Sequence, residues 1–417
     1  MRQNDIQVYN QKQQELYAAK TGISVDIQNI GKNTQTIVFK KKMSLEEIHK
    51  DVWLKTEVME LEDGNFTNIY DLFWNQKNPN LSCFIHSTKR PYYLFDYIKS
   101  NPSILAVING SFFFLIDVVD KIPKDYPYHF CIRDGKVVGL PSSNEPIIYV
   151  KDQKLNVKEP KSIGTIKIAN QTITWIGSKS NIDKKNINEV ILYNSGSSKL
   201  IKQYDPKTGV RMGTLDHTCI HTPSNPTVVD LVVNTNKKGS LIISKINFSG
   251  NTHFFDGLFI LQIDNKKNKY KVGDKVTPLT LDGLNLTTIT SGVTIGKSVT
   301  DPYFFVPERI NSRDARSVIA EDVAGNIHFF VFDGSKYIPK FKGISAKDIG
   351  PYFSQSRFKW GYFLDGGSSS RIILKEGKSY KFLANEFAFK KITNETFLWD
   401  WKRHRKLASS IALRVKR

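Results

Sequence analysis

From about residue 83 onward the apolar residues fall into short runs rich in Val, Ile and Phe, each cut off by Gly, Asn, Asp or Lys. Examples are Ile104 to Ile108, Glu189 to Tyr193, Val228 to Val233, Leu241 to Ile246 and Ile327 to Phe332. Runs of this length and β-branched content predict strands. Asp134-Gly135 and Asn236-Lys237-Lys238-Gly239 lie between such runs and predict hairpin turns. Helical patterning is scarcer. It is present over Asn10 to Lys20, Pro91 to Ser100 and Ser345 to Phe353. The string Ser44-Leu45-Glu46-Glu47-Ile48 reads as a capped helix start, with Ser44 as N-cap and Glu47 in the capping-box position. The expectation is an α+β chain dominated by strands, with a mixed or antiparallel sheet core and few helices, and no βαβ repeat. Residues 1–80, rich in Gln, Asn and Lys, are set apart as a partly helical N-terminal extension. Residues 81–417 are expected to form the main domain.

Composition narrows the class. The chain has 417 residues, 40% of them hydrophobic and 12% aromatic, which suffices for a sizeable core and excludes collagen-like or globally disordered classes. Its 3 cysteines, Cys83, Cys131 and Cys219, are odd in number and not at metal-ligand spacing. The odd count argues against a disulfide framework, and the spacing rules out a Cys-rich zinc site. The N-terminus is polar, with no apolar stretch after it, and no uncharged apolar run reaches the ~20 residues a membrane helix needs. The expected location is cytoplasmic, with no membrane partner. Sixty Lys+Arg against 40 Asp+Glu give a net charge of +20. That field favours anionic partners, although the charge is spread along the chain and equally suits solvated loops.

Four segments place polar groups beside glycines at the end of an apolar run, where a fixed backbone can expose reactive groups. In Ala106-Val107-Ile108-Asn109-Gly110-Ser111 the Asn amide can orient a sugar hydroxyl or phosphate oxygen, and Gly110 lets a ligand approach the backbone. A plain Asn-Gly turn explains the same residues. In Ser312-Arg313-Asp314-Ala315-Arg316 two guanidiniums suit bidentate phosphate binding. Their odd spacing puts them on opposite faces of a strand, and Arg316 is the better candidate; the competing reading is an Arg313–Asp314 surface pair. Phe330-Val331-Phe332-Asp333-Gly334 is a strand ending in a turn signal. In Leu364-Asp365-Gly366-Gly367-Ser368-Ser369-Ser370-Arg371 a carboxylate precedes two glycines and three hydroxyls, as in an anion-binding nest or a flexible loop. The His217/His221 pair and the basic aromatic tail Trp399 to Lys406 are weaker candidates for metal and nucleic acid.

Taken in order, these segments resemble the phosphodiester glycosidase family. The resemblance starts with Ile108 to Phe113 and continues through Ile132 to Val138, Val272 to Val276, Ser291-Gly292, Arg313 to Ala320 and Val331 to Gly334. It closes with Leu364 to Ser369 and Arg405 to Leu413. Ser111, Val293, Ser368 and Ala320 stand where the family has glycines, and residues 197–226 look like an insertion. The resemblance implies hydrolysis of a glycosyl-1-phosphodiester of the N-acetylglucosamine-1-phosphate-ester kind, releasing free sugar and leaving a phosphomonoester. Asp365, Asp333 and Arg316 are then the catalytic candidates. Asn109, Gly110, Ser291, Gly292, Arg313, Gly366, Gly367, Ser368 and Ser369 are the substrate-binding ones. A phosphate ester leaves readily, so clamping its charge outweighs a strong general acid, and a carboxylate activates water or stabilises the oxocarbenium-like transition state. No cofactor is called for, and a divalent cation is left open. The expected partner is a small or polymeric sugar phosphate, including nucleotide sugars. Two other readings stand beside this one: a sugar- or polysaccharide-binding protein without turnover on the same scaffold, and a basic nucleic-acid-binding protein.

Overall fold

The computed structural model describes residues 25–29, 35–39, 43–61, 64–111, 130–180, 190–194, 197, 200–204, 211–215, 220–301, 311–334, 342–354, 357–383, 389–391, 397–399 and 406–416. It is dominated by strands in antiparallel sheets, with two α-helices among the described residues, Leu94–Ser100 and Ala346–Phe353. Both fall where the sequence predicts helix. The expected helix over Asn10 to Lys20 lies outside the described residues, as do Phe112 and Phe113, His217, Cys219 and the tail from Asp400 to Arg405. No helix among the described residues is long and apolar enough to cross a membrane.

The predicted helix start at Ser44 is a strand instead. Ser44–His49 pairs antiparallel with Val52–Glu60, and the Glu47 carboxylate accepts from the Asp51 backbone N–H in the turn between them (2.9 Å). The Ser-x-x-Glu spacing therefore serves a hairpin, and pairing with Val52–Glu60 overrides local helix propensity. From Val52 to Met59 this strand alternates between buried and half-buried positions, the period of a sheet with one face in a core.

The chain divides into two units. The first comprises residues 1–84, 91–110 and 296–417, and holds a six-stranded and a five-stranded sheet. In the six-stranded sheet the order is Phe358–Phe363, Arg316–Asp322, Asn326–Asp333, Phe66–Asn75, Val52–Glu60, Ser44–His49. Strands on both sides of the expected break near residue 80 pair in this sheet, Phe66–Asn75 with Asn326–Asp333. Val318, Ala320, Phe330, Phe332 and Phe363 line one face and bury Ile349 and Phe353 of the Ala346–Phe353 helix. Ser345 caps that helix, its Oγ accepting from Asp348 N–H (3.1 Å). The five-stranded sheet runs Ser379–Leu383, Ile372–Glu376, Ile104–Asn109, Leu407–Val415, Leu81–Tyr92. Its central strand, Ile104–Asn109, is buried at every position.

The second unit comprises residues 85–90 and 111–295. It contains an eight-stranded and a five-stranded sheet, and one buried cluster including Ile132, Tyr149, Trp175, Leu231 and Phe259 draws on both. Each large apolar side chain so buried contributes roughly 1.5–3 kcal/mol before entropy is counted.

Candidate active site

In the first unit three of the expected segments converge. The central strand of the five-stranded sheet ends at Asn109, and Gly110 N–H donates to Ser409 O (3.0 Å). Gly110 O accepts from Asp365 N–H (3.0 Å), and Gly367 N–H donates to Ala315 O (2.8 Å). These bonds lock the 365–370 loop between the Asn109 strand end and the start of the Arg316–Asp322 strand. Gly367 has φ +60° and turns the chain into a short 3₁₀ segment, Gly367–Ser369. A Cβ there would lie 3.0 Å from Asp314 Oδ2, so this carboxylate borders the loop. A Cβ at Gly366 would lie 3.4 Å from an Arg316 guanidinium nitrogen. Arg316 therefore sits against the backbone one residue on from Asp365.

Asn109 is wholly buried and deeply engaged. Its Nδ2 donates to Asp365 O (2.7 Å), while its Oδ1 accepts from Ser317 Oγ (2.7 Å) and Arg371 N–H (3.2 Å). The amide thus joins three chain segments at one point. Arg316 is 8% and Asp365 9% exposed, so both reach the surface only at an edge. One guanidinium nitrogen of Arg316 donates to Ser312 O (3.0 Å). Arg313 is half-buried and precedes the strand, outside its alternation. Most N–H groups of the loop are already used: Asp365 and Gly367 as above, Ser369 and Ser370 within the turn, and Arg371 on Asn109. The loop's remaining capacity lies in its hydroxyls. Ser369 Oγ and Ser370 Oγ are buried and have no hydrogen-bond partner among the described residues. A hydroxyl buried in that state costs about 1–3 kcal/mol.

Asp333 is 1% exposed at the end of its strand; its Oδ1 accepts from Gly334 N–H (2.9 Å) and its carbonyl from Thr67 Oγ1 (2.6 Å). It pairs with Asn68, and strand alternation puts it on the face of Val331 and Ser317. Arg316 pairs with Phe332 and points to the opposite face. The sheet therefore separates these two candidates. Ser291 and Gly292 belong to the second unit, where Gly292 pairs with Tyr149 and Ile132, and the wholly buried Ser291 Oγ accepts from Ile85 N–H (3.2 Å). Of Ser368 only the backbone is described.

Three residues escape sequence reasoning. Asn68 is wholly buried opposite Asp333, and neither amide atom has a partner among the described residues. Arg371 is 2% exposed, and its Nε donates to Ser369 O (3.2 Å). Asp314 borders Gly367. A clue to Arg371 and Asp314 is their place inside the quoted segments, whereas Asn68 lies in a stretch that reads as featureless polar sequence. Among the described residues no cluster of three or more His, Cys, Asp or Glu side chains is arranged to hold a metal ion.

Outside this cluster, His328 stacks on Phe73 and Phe330, with Nδ1 2.8 Å from Asp71 Oδ1 and Nε2 3.4 Å from Asp322 Oδ2. Burial opposes charge on this ring, but the Asp71 and Asp322 carboxylates outweigh it and hold the pKa above the ordinary histidine value.

No protein-family profile matches the chain, and no curated protein sequence matches it. Among solved structures, a hypothetical protein from Synechocystis superposes with a TM-score of 0.55 at 13% identity, over 94% of this chain and 68% of that one. The two share a fold. A protein of Burkholderia pseudomallei K96243 gives a TM-score of 0.47 at 13% identity, over 84% of this chain and 74% of that one. The catalytic domain of zebrafish N-acetylglucosamine-1-phosphodiester alpha-N-acetylglucosaminidase, auto-inhibited by its pro-peptide, gives 0.35 at 9% identity, over 90% and 88%. Scores at these two levels carry no argument about function.

Proposed function

We propose that the chain is a hydrolase acting on sugar-1-phosphodiesters: water adds to the anomeric carbon, the C1–O bond to phosphate breaks, and free sugar and a phosphomonoester leave. The observation that carries this reading is that Arg316 lies against Gly366, next in the chain to Asp365, on a locked loop that also holds the buried Ser369 and Ser370 hydroxyls. A guanidinium and hydroxyl donors fit the charge of a departing phosphate, and a carboxylate beside them fits the role of activating water or stabilising positive charge at the sugar ring. Asn109 acts as a positioning residue, since its oxygen already accepts two hydrogen bonds and its nitrogen holds Asp365 O. Asp314, beside Gly367, is the candidate for the second carboxylate, because the sheet separates Asp333 from Arg316. Sequence resemblance to the phosphodiester glycosidases supports the same assignment through the order of its motifs.

The test is release of free sugar from a panel of sugar-1-phosphodiesters, nucleotide sugars included, with and without EDTA. The expected result is turnover that falls about 100-fold or more in Asp365→Asn. Full turnover in that variant, or no release across the panel, overturns the reading; loss in EDTA assigns a divalent cation to the site.

A further inference from the structure

At one end of the six-stranded sheet lies a cleft of about 540 Å³, a volume ordinary for a small-molecule site. Its aromatic lining comes from Trp53, Phe73 and Trp74. Trp53 and Phe73 are cross-strand partners, both half-buried, so their rings stand side by side on one face. Phe73 is backed by His328, with ring centroids 5.1 Å apart and nearly parallel planes, which fixes its ring. Trp74 is 1% exposed and turns to the other face of the sheet, where its ring packs on Phe329.

The polar rim is specific in what it leaves open. Asn78 is used up within the rim: its Nδ2 donates to Asp51 Oδ2 (3.1 Å) and its Oδ1 accepts from Asn80 N–H (2.9 Å). Lys50, Asp51 and Asn80 are exposed on the rim. The charged residues of the cleft are one lysine and one aspartate, so it is neutral on a chain of net charge +20. That argues against a phosphate or nucleotide, which would meet Asp51 beside the single cation. A flat apolar surface with several uncharged donors and acceptors around it matches a sugar ring, whose C–H face is apolar and whose edge carries hydroxyls.

We propose that this cleft binds a neutral carbohydrate chain, one sugar ring lying on Trp53 and its hydroxyls meeting Asn80 and Asp51. This binding is separate from any turnover at Asp365 and goes beyond the function proposed above.

The experiment titrates the full chain with cellotriose, maltotriose and N-acetylchitotriose, reading tryptophan fluorescence and calorimetric heat. The expected result is saturable binding of at least one trisaccharide, weakened about tenfold or more in Trp53→Ala. Asn80→Ala, on an exposed turn, weakens it several-fold and carries the test if Trp53→Ala loses its folded circular-dichroism spectrum. Asp365→Asn leaves it unchanged. Absence of saturation by all three sugars up to about 10 mM, a level far weaker than specific recognition, overturns the proposal. So does loss of binding in Asp365→Asn but not in Trp53→Ala, or tighter binding of AMP than of any trisaccharide.

Discussion

Replacing Asn109 by alanine separates two roles that this residue could have. Its side chain is wholly buried and makes three hydrogen bonds, to Asp365 O, Ser317 Oγ and Arg371 N–H, at 2.7, 2.7 and 3.2 Å. In Asn109→Ala these three groups lose their partner where water reaches them poorly. Each buried polar group left unmet costs about 1–3 kcal/mol, and the longest of the three bonds contributes least. The sum is about 3–5 kcal/mol, a large part of the 5–15 kcal/mol typical of a folded domain. For a unit of this size that corresponds to a thermal transition lowered by about 6–20 °C. Circular dichroism during heating reads the transition, and a unit-one probe such as Trp74, buried in the six-stranded sheet, reports the affected part. Binding of substrate to the fraction still folded should change little. A transition within about 2 °C of the parent, with substrate affinity lost tenfold or more, would refute the reasoning and make Asn109 a ligand of the sugar.

Gly110→Ala should also weaken the first unit. A Cβ at this position falls 2.8 Å from the carbonyl carbon and 2.9 Å from the oxygen of Ser409, and backbone on both sides has to shift. The expected cost is about 1–3 kcal/mol, seen as a lowered thermal transition; an unchanged transition contradicts the packing described. His328 predicts a pH dependence. Its folded pKa is raised, so the stabilisation is fully present below its unfolded value of about 6.5 and is lost as pH rises through the folded value. Thermal stability should therefore fall as pH is raised from 6 through 8, a slope that His328→Gln flattens; an equal slope in the variant would place its origin elsewhere.

The strands were readable because short β-branched runs bounded by turn residues leave little alternative, and the Ala346–Phe353 helix because Ser345 and Asp348 mark its start. The Ser44 strand was not, because Ser-x-x-Glu looks alike in a capping box and in a hairpin, and only Val52–Glu60 decides between them. The strand ends that meet at Asp365 stood out through their glycines. What those residues do with their hydrogen bonds was invisible: Asn109 spends its amide on other strands, and most amides of the 365–370 loop point inward. Asn68 could not be found from its neighbours in sequence, because its significance comes from pairing with Asp333, whose carbonyl accepts from a hydroxyl 266 residues away. Likewise, the opposite orientations of Arg316 and Asp333 follow from the register between their two strands, in which Arg316 pairs with Phe332.

The Ile104–Asn109 strand has a consequence for how the protein is made. Both neighbours that hydrogen-bond to it, Ile372–Glu376 and Leu407–Val415, are encoded near the far end of the chain. As the polypeptide emerges, all of residues 111–295 is synthesised before either partner exists. For that interval a strand apolar from Ile104 to Ile108 waits with both edges unpaired, a template to which a neighbouring nascent chain can add. Molecular chaperones that hold extended apolar segments would be needed most between those two moments, and a ribosome stalled before residue 372 would release a chain that has this strand and nothing to pair it with.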